Sequence, residues 1–341
     1  MKQIHGGDVY RHPDALDFSS NINPLGTPKA VIAAAAESLT RLSHYPDVFY
    51  TELREALASY EAVAQESVIC GNGAAELIFS LVRAVAPEKA MLPAPTFAEY
   101  RQALETVDCE INTYFMKEFR VEEDILEKLD ESYDMLFLCN PNNPTGFLIE
   151  PQLLARIMEK CRRCGIFLMI DECFLDFVEH GELYSMKAGL PDNPEFFILK
   201  AFTKRYAMAG IRLGYGLCGS RKLLEKMEKM TQPWNVSIPA QAAGCAALKE
   251  TEYVRMAQRL VNEQREYLKR EMQKLPLSVY DSKANYIFFR GPVDLYERCL
   301  EKGILIRDCS NYPGLESGFF RIAVRMPEEN ERLLSVLGEV L

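Results

Sequence analysis

The sequence predicts an α/β protein: a three-layer αβα large domain with a mostly parallel sheet, followed by a smaller α+β domain at the C-terminus. Two observations carry this prediction. Between residues 67 and 218, short apolar segments that favour strands alternate with helical segments, a pattern typical of parallel strands buried on both faces. After residue 235 the pattern changes to a long helical region and then to a shorter mixed segment, which indicates a second structural unit.

The bulk composition is that of a globular enzyme with two domains. The 341 residues exceed what one hydrophobic core usually serves. A net charge of -10 argues against a nucleic-acid partner, because phosphate backbones require a basic face. The chain shows no signal-peptide pattern, no apolar run of about 20 residues and no disulfide framework among its ten cysteines. We therefore expect a cytoplasmic protein that contacts neither nucleic acid nor membranes.

The large domain is predicted element by element. Residues 1–28 are rich in Gly, Pro and Asn and are predicted to form an extended arm. Helical periods follow from residue 28 onward and over about residues 50–64, and a third helix is predicted over residues 75–82. Apolar strand candidates bounded by turn residues lie at residues 67–70, 89–92, 134–138, 166–170, 196–199 and 214–218.

The C-terminal part is predicted to hold a helical region and a small sheet. The helical region covers about residues 239–273, and strand candidates lie at residues 285–289, 304–307 and 319–324. The predicted organisation is an N-terminal arm, a large domain and a small C-terminal domain that packs with the arm, over residues 1–28, 29–238 and 239–341.

Lys204 is the most informative residue. It follows the strand candidate 196–199, so we expect it in a loop past the carboxyl end of that strand, where open α/β sheets bind their ligands. A lysine in such a pocket can form an imine with an aldehyde cofactor. Asn143 and Asp171 each follow another strand candidate, so the three residues together predict a cofactor pocket.

Asp171 and Asn143 suit the two sides of a pyridine ring. A buried carboxylate after a strand needs a cation, and the protonated nitrogen of pyridoxal phosphate would supply one. A lone aspartate here would more often be a helix N-cap or a surface acid. The presence of Lys204 in the same predicted pocket favours a role for Asp171 in cofactor binding. Asn143 can donate its amide to the phenolic oxygen of the ring, although its segment is also a plain Asn-Pro turn.

The turn at residues 71–76 lies between a strand and a helix, where backbone amides and the helix dipole can hold a phosphate. Such turns often only reverse the chain. The phosphate interpretation is favoured because Arg212 would bring a forked cation to the same group. Phe97 is a candidate to stack on the cofactor ring, although a loop aromatic more often only packs.

Taken in order, these motifs resemble the fold-type I pyridoxal-phosphate enzymes of the aspartate aminotransferase superfamily. The resemblance spans nearly the whole chain and rests on residues 141–146 (PNNPTG), Asp171-Glu172, Thr203-Lys204 followed by Arg212, and Phe320-Arg321-Ile322. It implies the type I PLP-dependent transferase fold and pyridoxal 5'-phosphate as the cofactor.

The resemblance also implies roles for single residues. Lys204 would bond to the cofactor, with Asp171 at the pyridine nitrogen, Asn143 at the phenolic oxygen and Phe97 over the ring. The cofactor phosphate would be held by Gly73, Ala74, Thr203 and Arg212. Tyr45 matches a tyrosine that reaches the cofactor phosphate of the neighbouring subunit, which implies a homodimer with shared active sites.

Within the superfamily the chain resembles the threonine-phosphate decarboxylases, which are relatives of the histidinol-phosphate aminotransferases. The likeness lies in residues 5–7, 16–26, 232–236 and 304–315. It implies a small-molecule partner that is a phosphorylated amino acid or amino alcohol. Arg321 would bind the substrate α-carboxylate and Arg307 the substrate phosphate. Further candidates for that end of the pocket are His5, Asn21 and Arg325.

Two residues depart from the family pattern. Many aminotransferases carry a tyrosine three residues beyond the ring aspartate, whereas this chain has Phe174, and the missing hydroxyl favours a decarboxylase. Ala201 stands where relatives often have a serine or threonine that binds phosphate, which leaves more of that task to Thr203.

The predicted function is therefore pyridoxal-phosphate-dependent decarboxylation of threonine phosphate. The alternative is a histidinol-phosphate or other amino-acid aminotransferase that uses 2-oxoglutarate, because the two subfamilies share fold and cofactor. A ligand sensor without catalytic activity is disfavoured because the chain retains Lys204 and Asp171.

Overall fold

The computed structural model describes residues 5–341, so the first four residues of the predicted arm lie outside the described range. The arm contains one short strand, β1 (Leu16–Asp17), and is followed by the helices α1 (Lys29–Ser38) and α2 (Thr51–Glu61). Both helices lie where the sequence predicted them. Among the helices of residues 5–341, none combines the length and apolar character that a membrane crossing requires.

A seven-stranded sheet forms the centre of the larger part of the molecule. Its strands are β2 (Val68–Gly71), β3 (Lys89–Ala94), β4 (Glu110–Phe115), β5 (Met135–Cys139), β6 (Phe167–Asp171), β7 (Phe196–Ala201) and β8 (Gly214–Cys218), in the order β2-β8-β7-β6-β5-β3-β4. Strand β8 runs antiparallel to β2 and β7, and the other neighbours are parallel. The predicted mostly parallel sheet is confirmed. Strand β4 was missed because this edge strand is largely accessible and lacks an apolar run.

Helices cover both faces of this sheet. They are α3 (Ala74–Val85), α4 (Ala98–Glu105), α5 (Ile125–Lys128), α6 (Pro151–Cys164), α7 (Phe202–Arg205) and α8 (Arg221–Met230), together with α1 and α2. Side chains alternate along the central strands, so Phe137 joins the core with α3 and α8, whereas Leu138 joins the core with α2 and α6. The three-layer arrangement follows from this alternation.

The C-terminal part contains α9 (Ile238–Ala247), α10 (Thr251–Met272), β9 (Ser278–Val279), β10 (Tyr286–Arg290), α11 (Leu295–Glu301), β11 (Ile304–Leu305), β12 (Arg307–Asp308), β13 (Phe319–Ala323) and α12 (Pro327–Val340). A four-stranded antiparallel sheet has the order β12-β13-β10-β9.

Two C-terminal elements are divided where the sequence predicted continuity. The helical region breaks into α9 and α10. The strand predicted over residues 304–307 separates into β11, which pairs with β1, and β12, which pairs with β13. Helix α9 packs against α1 and α2. The predicted domain boundary between residues 238 and 239 falls at the start of α9 and stays a prediction.

The N-terminal arm ties the small sheet to the segment that carries Lys204. The backbone N–H of Ala323 donates to the carbonyl of Phe18 at 2.7 Å. The side-chain amide of Asn23 donates to the carbonyl of Arg205 at 2.7 Å, one residue beyond Lys204. The arm therefore links the two sheets at the place where their ends meet.

Candidate active site

A cavity of about 400 Å³ opens at the carboxyl ends of β5, β6 and β7. Residues of both sheets and of the N-terminal arm line it, as expected for the edge of an open α/β sheet where ligands bind. Most of the residues singled out from the sequence meet here: His5, Asn21, Ala74, Phe97, Asn143, Asp171, Thr203, Lys204, Arg212, Arg307 and Arg321.

Lys204 projects into the cavity from α7, a single helical turn that starts directly after β7. The sequence analysis placed this residue in a loop, which was wrong because residues 202–205 close one turn before the chain bends away. Burial and the positive charges of Arg321 and Arg212 together lower the pKa of Lys204 to about 8. A substantial fraction of the amine is therefore neutral and nucleophilic near neutral pH.

The turn that carries Lys204 is held from behind by buried charges that the sequence analysis did not identify. Arg205 is 1% exposed; it donates to a carboxylate oxygen of Asp176 at 2.9 Å and to the hydroxyl of Tyr215 at 3.1 Å. Because these partners lie on the side away from the cavity, α7 presents Lys204 to the cavity in a fixed direction.

Asp171 is the last residue of β6 and is 5% exposed. The hydroxyl of Tyr100 donates to its Oδ2 at 2.6 Å, and the backbone N–H of Cys173 donates to Oδ1 at 2.8 Å. Burial raises the pKa of Asp171, although the two hydrogen bonds and the charge of Lys204 oppose that shift. A cation in the cavity would favour its ionised form. Tyr100 is a site residue that the sequence analysis missed, because a buried helical tyrosine carries no signal of its partner.

Asn143 lies in the turn after β5 and is 6% exposed. Its side-chain oxygen accepts a hydrogen bond from Arg321 Nη1, which leaves the amide N–H groups to donate into the cavity. The preceding Asn142 fixes the turn, since its amide donates to the carbonyl of Pro95 and to the hydroxyl of Thr145, both at 3.0 Å.

The residues of the predicted phosphate cradle lie where α3 begins. Gly73 caps the helix with a φ of 84°, a conformation that favours glycine. A Cβ atom at Gly73 would collide with the guanidinium of Arg212. Ala74, Thr203 and Arg212 line the cavity here, so helix N–H groups, a hydroxyl and a guanidinium converge on one small space.

Two aromatic side chains form apolar walls. Phe97 lies just before α4 and packs edge to face on Tyr100, with ring centroids 5.5 Å apart. Phe174 lies with its ring centre 6.0 Å from Nζ of Lys204 and packs edge to face on Tyr286. Neither phenylalanine can donate a hydrogen bond to a ligand.

The two arginines at the other end of the cavity lie directly opposite each other on β12 and β13. Arg321 is 5% exposed and donates to the carbonyl of Ser19 at 2.9 Å. Arg307 is 7% exposed and donates to the side chain of Asn311 at 2.8 Å. Like charges that face each other across strands repel, so anions bound beside this pair would relieve the repulsion.

His5, Asn21 and Glu99 complete this end. The side-chain oxygen of Asn21 is buried and accepts no hydrogen bond from the residues that the structure describes. Glu99, in the first turn of α4, lies with Oε1 3.4 Å from Nε2 of His5. The sequence analysis assigned no role to Glu99, because nothing in a helical glutamate indicates that it faces a cavity.

Three candidates do not line this cavity, namely Gly73, which lies against Arg212, Tyr45 and Arg325. Tyr45 is 77% exposed and stacks on Trp234 with ring centroids 4.6 Å apart. Arg325 lies beyond the end of β13 and pairs with Glu329 at 2.7 Å, because the chain there turns into α12. Arg325 therefore lies with a helix N-terminus instead of the arginine pair.

The described residues fit pyridoxal phosphate. Asp171 is a buried carboxyl group that a cationic ring nitrogen would keep ionised, and Lys204 is a partly neutral amine. The part of the cavity lined by Ala74, Thr203 and Arg212 suits an anion, because it offers helix N–H groups, a hydroxyl and a guanidinium. A molecule with a basic ring nitrogen, an aldehyde and a phosphate would satisfy all three features.

Comparison with known proteins agrees with this geometry. The family model described as aminotransferase class I and II matches residues 13–337. A threonine-phosphate decarboxylase from Salmonella typhimurium is 39% identical, with 100% of this chain and 97% of that protein covered. A histidinol-phosphate aminotransferase from Methanothermobacter thermautotrophicus is 33% identical, with 100% and 93% covered.

A solved structure shares the fold along nearly the whole chain. The crystal structure of the histidinol-phosphate aminotransferase from Clostridium acetobutylicum superposes with a TM-score of 0.89 at 29% identity, covering 95% of this chain and 98% of that one. The arrangement of sheets and helices around the cavity is therefore one that solved enzymes share.

Proposed function

The chain belongs to the aminotransferase class I and II family, whose cofactor is pyridoxal 5'-phosphate, and from that premise we propose that it decarboxylates L-threonine O-3-phosphate. The product would be (R)-1-aminopropan-2-yl phosphate, formed for cobalamin biosynthesis. The observation that carries the proposal is the 39% identity over the full chain with a threonine-phosphate decarboxylase.

The cavity supplies the groups that such a substrate needs. Arg321 and Arg307 lie opposite each other on neighbouring strands, so one can bind a carboxylate and the other a phosphate of the same small molecule. When bound, pyridoxal phosphate supplies an electron-accepting ring for the electron pair released at the substrate Cα. Asp171 favours a protonated ring nitrogen, which strengthens that capacity.

The chain's own residues can also supply the proton that the substrate Cα needs after CO2 leaves. Decarboxylation breaks the bond between Cα and the carboxylate, and a proton must take the place of CO2. Lys204, with its pKa near 8, can hold or deliver a proton on that side of the cavity. Phe174 supports the decarboxylase proposal, because it gives no hydroxyl where many aminotransferases carry one.

The second candidate is a histidinol-phosphate or other amino-acid aminotransferase. It is supported by the 33% identity with a histidinol-phosphate aminotransferase over the whole chain and by the 0.89 TM-score of the solved relative. Transamination would remove a proton from Cα instead of CO2, and it would require 2-oxoglutarate as the second substrate.

A product assay separates the two functions. The purified holoenzyme is incubated with L-threonine O-3-phosphate, and CO2 and the amine product are measured. In parallel it receives histidinol phosphate with 2-oxoglutarate, and glutamate is measured. We expect CO2 release in the first reaction and no glutamate in the second. Glutamate formation without CO2 release would replace the decarboxylase with the aminotransferase.

We also infer a homodimer with shared active sites. Tyr45 and Trp234 form a stacked pair on the surface, and Phe49, four residues after Tyr45 in the chain, is exposed as well. A solvent-exposed cluster of large aromatic rings is typical of an interaction surface. Sedimentation analysis should give twice the chain mass, and Tyr45→Ala should weaken cofactor retention. A monomer with full activity would contradict the inference.

The cytoplasmic location stays a prediction.

A further inference from the structure

Glu99 is the only acidic side chain among the described lining residues of the cavity besides Asp171. It lies 14% exposed, and its Oε2 atom is buried without a hydrogen-bond partner among the described residues. Leaving a buried carboxyl oxygen unpaired costs free energy, so such atoms are usually satisfied by a ligand or a water molecule. The Glu99 side chain lines the cavity.

The groups that face Glu99 come from five other elements. His5 of the arm lies 3.4 Å from Oε1, and Arg307 of β12, Lys204 of α7 and Asp171 of β6 act on its charge. Tyr312, from the loop after β12, faces it as well. Burial raises the pKa of Glu99 to about 7, so neutral and ionised forms are both populated near neutral pH.

Its neighbour His5 is shifted in the opposite direction. Burial, Arg307 and Lys204 lower the pKa of His5, so both members of the pair favour their neutral forms in the absence of a ligand. A phosphate monoester is a dianion above its second pKa of about 6. A dianion that binds to Arg307 would repel an ionised Glu99, whereas a neutral Glu99 has a proton to donate.

We propose that Glu99 determines specificity at this end of the cavity: in its neutral form its carboxyl group donates a hydrogen bond to the substrate phosphate, so that phosphate binding takes up a proton from solvent. The inference rests on the proposed function, since it requires a phosphorylated substrate. It assigns one further residue, Glu99, and the uptake of one proton to that function. Its consequence is an affinity for the phosphate group that falls as pH rises above 7.

The test uses the holoenzyme and propan-2-yl phosphate, which has the phosphate ester but neither the amine nor the carboxylate and is therefore not turned over. Titration calorimetry in buffers of different ionisation enthalpy gives the number of protons taken up on binding. At pH 8 the wild-type enzyme should take up about one proton more than Glu99→Gln. Propan-2-yl sulfate, a monoanion throughout, should show no such difference.

The affinity gives a second readout. Glutamine keeps a donor but does not titrate, so Glu99→Gln should match the wild type at pH 6 and bind the probe about tenfold more tightly at pH 8. Glu105→Gln, on the exposed end of the same helix, should behave as wild type. Bound-cofactor absorbance in each variant reports correct folding, and a difference infrared spectrum of the wild type should show a protonated carboxyl group that grows on binding.

Equal proton uptake in the wild type and Glu99→Gln would overturn the inference while leaving the proposed function intact. Tighter binding by Glu99→Gln by the same factor at every pH would overturn it too, because Glu99 would then act as a permanent anion. Failure of the wild-type enzyme to bind the probe at any pH would overturn both the inference and the proposal that the substrate is phosphorylated.

Discussion

At the end of the cavity around Asp171, both carboxylate oxygens already accept hydrogen bonds, from Tyr100 and Cys173. At the end around Arg307, polar atoms of Asn21, Glu99 and Arg321 have no hydrogen-bond partner within residues 5–341. The first end is built by segments that follow neighbouring strands of one sheet. The second brings together the N-terminal arm, α4 and the small sheet. The proposed cofactor end is therefore hydrogen-bonded before any ligand binds, whereas the proposed substrate end keeps unpaired polar atoms.

The two ends of the cavity also differ in their charges. The charge of Lys204 lies close to Asp171, and the cofactor would add a cation beside that carboxyl group. Arg307 and Arg321 face each other across β12 and β13, so two positive charges meet at the other end. Cofactor-end substitutions should therefore abolish chemistry, and substrate-end substitutions should mainly change affinity.

The largest effect is expected at Lys204. Lys204→Ala removes the amine that attaches the cofactor and moves protons, so turnover should fall by about 10⁴-fold or more. The absorbance of the attached cofactor should vanish, and borohydride reduction should leave no tag on the chain. Lys222→Ala, on an exposed helix face, is the control and should retain both signals. Substantial turnover in Lys204→Ala would contradict the assignment of Lys204 as the residue that attaches the cofactor.

The next largest effect is expected at Asp171. Asp171→Asn keeps the shape but loses the charge, so kcat should fall by about 10²- to 10³-fold while the borohydride tag on Lys204 remains. Tyr100→Phe removes only one hydrogen bond to the carboxylate and should cost about fivefold to tenfold. Equal losses in the two variants would mean that the hydroxyl, and not the carboxylate, matters.

At the substrate end, the two arginines should differ from each other. Arg307→Gln should raise KM for threonine phosphate by about 10²-fold and leave KM for unphosphorylated amino acids nearly unchanged. Arg321→Gln should weaken both kinds of substrate, because both carry the α-carboxylate. Steady-state kinetics with threonine and threonine phosphate measure the split. A similar rise for both substrates in Arg307→Gln would show that this residue does not bind the phosphate.

The smallest effect concerns pH. Because the pKa of Lys204 is lowered to about 8, its neutral fraction rises through that pH and then levels off. The rate at which the apoenzyme captures pyridoxal phosphate should rise about tenfold between pH 7 and pH 9 and then remain constant. Free N-acetyl-lysine, followed in parallel by absorbance, should continue to accelerate above pH 9. The same continued rise in the protein would exclude a shifted amine.

The sequence alone determined the fold class and the cofactor end. Buried parallel strands appear as uninterrupted apolar runs, and the residues that follow them must meet at one edge of the sheet, so Asn143, Asp171 and Lys204 could be placed together. Tyr45 and Arg325 show the limit of this reasoning. A motif match gave Arg325 a role at the pocket, but the structure pairs it with Glu329, and the role of Tyr45 at the neighbouring subunit's cofactor stays a prediction.

Tertiary structure decided the substrate end. Which residue of β12 faces which residue of β13 depends on strand register, and whether Glu99 points to solvent or to His5 depends on how α4 packs. Neither can be obtained from local sequence, because each contact joins segments that are far apart in the chain. The sequence thus specified the groups proposed to hold the cofactor, and the long-range packing specified which unpaired polar atoms remain for a ligand.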